Sequence, residues 1–208
     1  MMKIDNLVVG PIETNCYILS DTESKEAVII DAGDDADLIL RYIENHGLNV
    51  KYILNTHGHF DHMQANDEIR DKTGAPLAIH ADDVELLLHQ EKVSAGMFMQ
   101  VKSCREPEKI LHNGDVIFFG GYQLQVIYTP GHTRGGCCFY EAKEKVCFTG
   151  DTLFRGSVGR TDLYGGNMAA LRNSVKERLS VLPDDVTIYP GHGPESDMAF
   201  ERRANPYL

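Results

Sequence analysis

Short apolar runs rich in Val and Ile recur along the chain, each closed by Gly, Pro, Asn, Asp or other polar residues. Such runs read as strands, because β-branched side chains suit a pleated surface and the closing residues favour turns. Leu7-Val8-Val9 stops at Gly10-Pro11, and residues 15–19 and 27–30 flank a polar stretch in the manner of a hairpin. Gly33-Asp34-Asp35 offers capping residues for a helix whose apolar positions Leu38, Ile39, Tyr42 and Ile43 keep helical spacing, with Gly47 to end it. The pattern then predicts a strand over 51–55, a helix from near His62 to Gly74, a short strand over 76–80 and a helix over 82–89. Residues 90–113 follow no clear period. Met97, Phe98 and Met99 within them are expected in the core, the alternative being an overhang above a binding rim. Strands return over 116–119 and 122–129, and as a hairpin over 137–140 and 145–148. Asn167 caps a helix with the apolar stripe Met168, Leu171, Val175 and Leu179, Pro183 closes it, and 186–189 is the last strand.

The order is strands then helices, repeated in two comparable halves. Each half supplies a sheet with helices for one face only, so two sheets stacked face to face with helices outside satisfy both. A length of 208 residues with 42% hydrophobic content suits one domain spanning 1–208. No apolar run reaches membrane-spanning length and the N-terminus lacks a secretory-type segment, so a cytoplasmic protein without a membrane partner is expected. The net charge of −11 disfavours a nucleic-acid partner. Five scattered cysteines without a CxxC pair are expected to be reduced thiols. Cys104, between Lys102 and Arg105, is expected to be an ordinary loop thiol, the alternative being a thiol activated by those cations.

Four of the strand runs end on turns that carry metal-type ligands. The first leads into Thr56-His57-Gly58-His59-Phe60-Asp61-His62, the second into Thr129-Pro130-Gly131-His132, the third into Thr149-Gly150-Asp151 and the fourth into Pro190-Gly191-His192. If those strands lie side by side, five imidazoles and two carboxylates meet along one rim. Imidazole and carboxylate suit Zn²⁺, Fe or Mn. Structural zinc sites favour closed, cysteine-rich tetrahedra, and no cysteine belongs to this set, so the pattern points to an open catalytic site. His46, His80, His89 and His112 carry no such context and read as ordinary histidines.

On these motifs the chain resembles the metallo-β-lactamase superfamily, and within it the short glyoxalase II-like hydrolases that lack a helical C-terminal domain. The resemblance extends from Asn15-Cys16-Tyr17 through residues 56–62, 130–133 and 150–154 to Gly191-His192-Gly193-Pro194. It implies an α+β, four-layer αββα sandwich with two divalent ions at one edge, Zn²⁺ foremost. It places His57, His59 and His132 on the first ion, Asp61, His62 and His192 on the second, and Asp151 across both. Paired cations sharing a water make hydroxide available near neutral pH, with Asp61 and Asp151 as the catalytic carboxylates. The implied activity is hydrolysis of a small thioester of the S-lactoylglutathione kind, with Arg160 as a substrate-carboxylate contact or else a clamp on Asp162. Where longer relatives have an acidic-aromatic pair, this chain has Gly193-Pro194. A mononuclear-iron persulfide dioxygenase, which shares the segment Gly159-Arg160-Thr161-Asp162, and a hydrolase of other esters are the alternatives. The sequence leaves oligomeric state open.

Overall fold

The computed structural model describes residues 1–90 and 101–208. Its N-terminal sheet has the order β1 (Met2–Val9), β2 (Thr14–Asp21), β3 (Glu26–Ile30), β4 (Asn49–Leu54), β5 (Leu77–His80) and β6 (Lys109–Leu111). The first three strands are antiparallel and the rest run parallel to β3. Between them lie α1 (Ala36–His46), α2 (Asn66–Thr73) and α3 (Val84–Leu88). The second sheet is built from β7 (Val116–Phe119), β8 (Tyr122–Tyr128), β9 (Cys137–Glu141), β10 (Val146–Gly150), β13 (Thr187–Pro190) and β14 (Ser196–Asp197), in the spatial order β14-β13-β10-β9-β8-β7. A small hairpin of β11 (Leu153–Phe154) and β12 (Ser157–Val158), and the helices α4 (Met168–Ser174) and α5 (Met198–Ala204), complete the described elements.

Three apolar layers hold these elements together. Leu19, Val28, Ile30 and Leu54 of the first sheet meet Leu124, Val126, Phe139 and Phe148 of the second in the central layer. Ile39, Ile43 and Ile69 of α1 and α2 cover the outer face of the first sheet over Ile18, Ile29 and Ile53. Leu171 of α4, with Val175, Leu179 and Met198, covers Cys138, Cys147 and Ile188 on the second. The result is the αββα sandwich expected from the order of elements. It also explains why residues 16–19 of β2 and 146–148 of β10 are apolar without alternation, since both faces of each strand are buried.

Several local expectations change. Asp35 does not cap α1 with its side chain. At φ 51° its backbone is left-handed, and its carboxylate instead accepts from the Gly10 amide at 2.8 Å. The helix expected from near His62 starts at Asn66. Residues Phe60–His62 form a separate 3₁₀ turn, whose His62 carbonyl accepts from the buried Asn55 amide at 2.7 Å. The helix over 82–89 divides into a 3₁₀ turn at Ala81–Asp83 followed by α3. Within 90–113, β6 is an added parallel strand, while Met97, Phe98 and Met99 lie outside the described residues. Asn167 does cap α4, accepting from Ala170 N at 3.0 Å, but that helix ends as a π turn at Val175–Leu179, before Pro183. β13 is not the last strand, for β14 and α5 follow. All five cysteines are free and buried. Cys104 is not activated by its neighbours: burial, with the Asp67 charge, pushes its thiol up to about 12.

Topology sets where the loops emerge. β10 and β13 are parallel with Gly150 opposite Pro190, so Asp151 and Gly191-His192 leave the sheet side by side. β8 and β10 both pair antiparallel with β9, which gives them one direction and brings the turn after Tyr128 to the same edge. The first sheet is stitched to this edge by Asn15 N to Gly191 O at 2.8 Å and Cys137 N to Thr56 O at 2.9 Å.

Phe148 is fully buried where the sheets meet, 5.2 Å from the Tyr17 ring and 5.1 Å from Tyr189. Phe148→Ala is expected to destabilise the fold by about 3–5 kcal/mol through lost burial and a residual cavity. Denaturant unfolding with an unchanged m-value checks this.

Candidate metal centre

Each ligand-bearing turn delivers its side chains to one place. Three groups have ligand atoms lying within 4.8 Å of one another: His57, His59 and His132; His57, His62 and Asp151; and Asp61, His62 and His192. All seven residues singled out in the sequence therefore converge, six of them in the first and third groups and Asp151 between them. Asp151 has its Oδ2 3.4 Å from His132 Nε2 and its Oδ1 3.5 Å from His62 Nε2. Its two oxygens thus face different groups. Gly191 makes room for this, since a Cβ there would lie 2.4 Å from Asp151 Oδ1 and 2.7 Å from His62 Cε1.

Hydrogen bonds behind the rim decide which nitrogen of each ring is free. Asp31 is 1% exposed at the end of β3 and accepts from Thr56 N at 2.8 Å and Thr56 Oγ1 at 2.7 Å. It also accepts from His62 Nδ1 at 3.0 Å. With its proton given to Asp31, Thr56 Oγ1 is the acceptor for His57 Nδ1 at 3.0 Å. His132 Nδ1 donates to the Arg160 carbonyl at 2.7 Å. His57, His62 and His132 consequently carry their protons on Nδ1 and turn Nε2 towards the cluster. This is the arrangement that orients and strengthens an imidazole ligand. His59 brings Nδ1 to 2.9 Å from His132 Nε2. Two ring nitrogens, one of them a lone pair, meet there.

The residues fit a metal. His57 Nε2 and Asp151 Oδ1 are buried with no hydrogen-bond partner among the described residues, and an unsatisfied buried polar atom is costly. The donors are imidazole and carboxylate, which suit borderline divalent cations. The charges agree. Burial, with His62 and His132 adding to it, drives His57 well below its usual range. Burial, with His132 beside it, lowers His59 to about 3. Burial alone would depress His62, but Asp61, Asp151 and Asp31 outweigh it and raise the ring to about 10. Burial would likewise lower His192, but the Asp61 hydrogen bond and the Asp151 charge outweigh it and raise the ring. Burial would raise Asp61, yet His62 and His192 hold it below the ordinary carboxylate range. The centre is a focus of negative charge that calls for cations.

Beside these groups opens a cavity of about 510 Å³. Ile12, Phe60, Phe154 and Leu163 give it an apolar wall, and Arg160 is its cation. Arg160 is already bidentate to Asp162, Nε to Oδ1 and Nη2 to Oδ2, both at 2.7 Å. It therefore lines the cavity and forms the clamp at once. Phe154 rests on the β11–β12 hairpin, whose Gly156 amide is held by the buried Glu201 carboxylate at 3.0 Å. Neither His80, which stacks on Tyr128 at 4.2 Å, nor the exposed His112 lines the cavity.

Sequence reasoning passed over Asp31 and Asp83. Asp31 follows a strand as any turn residue would, its one local sign being the step from Ile29-Ile30 to a charged residue at positive φ. Asp83, 1% exposed, accepts from Gly58 N, Thr133 Oγ1 and Gly135 N. Burial raises its carboxyl pKa against the pull of those three bonds. No local pattern marks it.

Residues 9–192 match the metallo-beta-lactamase superfamily. A hydroxyacylglutathione hydrolase, GloC, of Haemophilus influenzae is 33% identical over 209 residues, covering all of this chain and 98% of the relative. Among solved structures, BLEG-1, described as a B3 metallo-beta-lactamase, superposes with a TM-score of 0.92 at 34% identity over 99% of both chains. TTHA1623 in a di-iron-bound form gives 0.88 at 34% identity over 98% of this chain and 100% of that one. With the sandwich, the converging turns and these likenesses in agreement, the chain belongs to the metallo-beta-lactamase superfamily.

Proposed function

We propose that this chain is a binuclear metal-dependent hydrolase of acyl thioesters, of the hydroxyacylglutathione type. The observation that carries the two-ion reading is Asp151, one oxygen turned to each group of ligands. His57, His59 and His132 would hold one ion, Asp61, His62 and His192 the other, with Asp151 shared. Zn²⁺ and iron both suit this donor set, and the di-iron form of TTHA1623 keeps iron in view. When bound, such a pair supplies a nucleophilic water at neutral pH and positive charge for a developing oxyanion.

The protein's own part follows from the cavity. Asp61 stays ionised throughout the working pH range, so its free lone pairs can accept a proton-bearing water and fix its direction. The apolar wall of Ile12, Phe60, Phe154 and Leu163 excludes bulk water and receives the substrate's uncharged body. Every titratable side chain lining the cavity, apart from Arg160, belongs to the proposed ligand set. No spare general acid is therefore present there among the described residues to protonate a poor leaving group. A thiol with a pKa of about 8.5 departs as thiolate without one. That matches the activity named for GloC. A single-iron persulfide dioxygenase would leave Asp61, His62 and His192 without a task. Lactam hydrolysis is a second reading, supported by the likeness to BLEG-1.

Two outcomes are expected. Metal-loaded enzyme should release thiol from S-lactoylglutathione, and Asp151→Ala should lose at least about 100-fold in kcat/KM, consistent with removal of a bridging ligand. Thiol release no faster than in the Asp151→Ala control rules out the thioesterase, and faster turnover of a β-lactam in the same assay favours the second reading. The raised His62 gives the other outcome. Held up to about 10, it stays protonated near pH 7.5, and a cation must displace that proton. Loading metal-free protein at that pH should release about one proton or more per chain. Calorimetry in buffers of different ionisation enthalpy measures it, and proton uptake would contradict the charge assignment.

A further inference from the structure

Asp31 reaches both groups of ligands, through Thr56 to His57 and directly to His62, but each group also has a brace of its own. The His192 turn is held from the first sheet: Asn15 Nδ2 donates to Pro190 O at 3.0 Å and Gly193 O at 2.9 Å, and Tyr17 Oη donates to Pro190 O at 2.8 Å. The other group has a different brace. Asp83, in the 3₁₀ turn after β5, accepts from Gly58 N at 2.9 Å, and Gly58 sits between His57 and His59. The same carboxylate accepts from Thr133 Oγ1 and from Gly135 N, both at 2.6 Å, just beyond His132. These partners are 25, 50 and 52 residues away in sequence. One buried carboxylate therefore ties the segments that bear His57, His59 and His132, and in these bonds touches no residue of the Phe60–His62 3₁₀ segment or of the His192 turn. The fit is close. A Cβ at Gly135 would stand 2.4 Å from Asp83 N and 2.7 Å from its Cβ.

We infer that Asp83 is a positioning residue for one ion only: it clasps the His57-Gly58-His59 turn to the His132 turn, so that the three-imidazole half of the centre can be loosened without the other. The physical reason is local. An imidazole set binds well only when its rings are held in register, and the groups that orient ligands contribute about 10–100-fold in metal affinity. Loss of a charged acceptor leaves three buried donors unsatisfied, and the turns can relax by separating. Asn15, by the same logic, serves the opposite half. The inference rests on the two-ion reading but not on any substrate.

The test is a Zn²⁺ titration of metal-free protein, repeated with Co²⁺, whose absorption distinguishes the site of three imidazoles with Asp151 from the site of two imidazoles with Asp61 and Asp151. The wild type fixes the number of ions. In Asp83→Asn the ion held by His57, His59 and His132 should weaken about 10–100-fold and the other stay within a few-fold. Thr133→Val removes a single bond without stranding a charge, and should weaken the same ion by less. Asn15→Ala should reverse the pattern. Thermal unfolding of the metal-free variants gives the contrasting readout, since a purely structural role would lower Tm with both affinities unchanged. That result, or equal weakening of both ions, overturns the clasp. A wild-type chain that takes a single ion overturns the two-ion reading and the selectivity together.

Discussion

The structure is organised around a concentration of largely buried negative charge. Asp61, Asp151 and Asp31 all face His62, a side chain with no exposure to solvent. Carboxylates removed from water need positive charge close by. The immediate supply is imidazole, and the raised pKa values of His62 and His192 register that demand. A second demand comes from the other side, where His57 and His59 are buried rings driven towards neutrality. Lone pairs and carboxylate charge in one pocket are the two things a divalent cation satisfies together. The fold's work is to bring them together: four turns from two sheets and both halves of the chain close on a region only a few ångströms across.

The cost of holding such a cluster is spread over the sandwich. Each ligand follows the end of a strand buried on at least one face, so its backbone inherits the rigidity of a close-packed layer. Three of the five rings, His57, His62 and His132, are then fixed through their Nδ1 protons, to Thr56, Asp31 and the Arg160 carbonyl. Cross-sheet bonds at Asn15 and Cys137 prevent the two layers from opening at this edge. Precision at the rim and stability in the core are thus connected. Asp31 reaches both groups of ligands, through Thr56 to His57 and directly to His62, whereas Asp83 and Asn15 each brace one.

Much of this was legible in the sequence because its signals are local. His57 to His62 lie on one turn, and the short segments at His132, Asp151 and His192 each follow a strand-like run. A reader needs only to suppose that the strands are neighbours. The layer order was legible for the same reason, since residues 27–30 and 146–148 are apolar on both faces and demand cover. The elements that escaped depend on distant partners. β6 is three residues long and exists because β5 offers it an edge. Asp35 looks like a cap and is diverted to Gly10 by a left-handed backbone. Asp31 and Asp83 are single carboxylates whose meaning lies 25 or more residues away. Cys104, expected to be an ordinary thiol despite two flanking cations, is one, though its enclosure beside Asn66 and the Met63 carbonyl was not legible.

The central claim is that these turns hold a pair of cations with Asp151 between them. Anomalous diffraction from crystals of Zn²⁺-loaded protein tests it directly. The account predicts two peaks about 3.5–4 Å apart, one against His57, His59 and His132, the other against Asp61, His62 and His192, with an Asp151 oxygen on each. A single peak, or peaks away from these side chains, would contradict it.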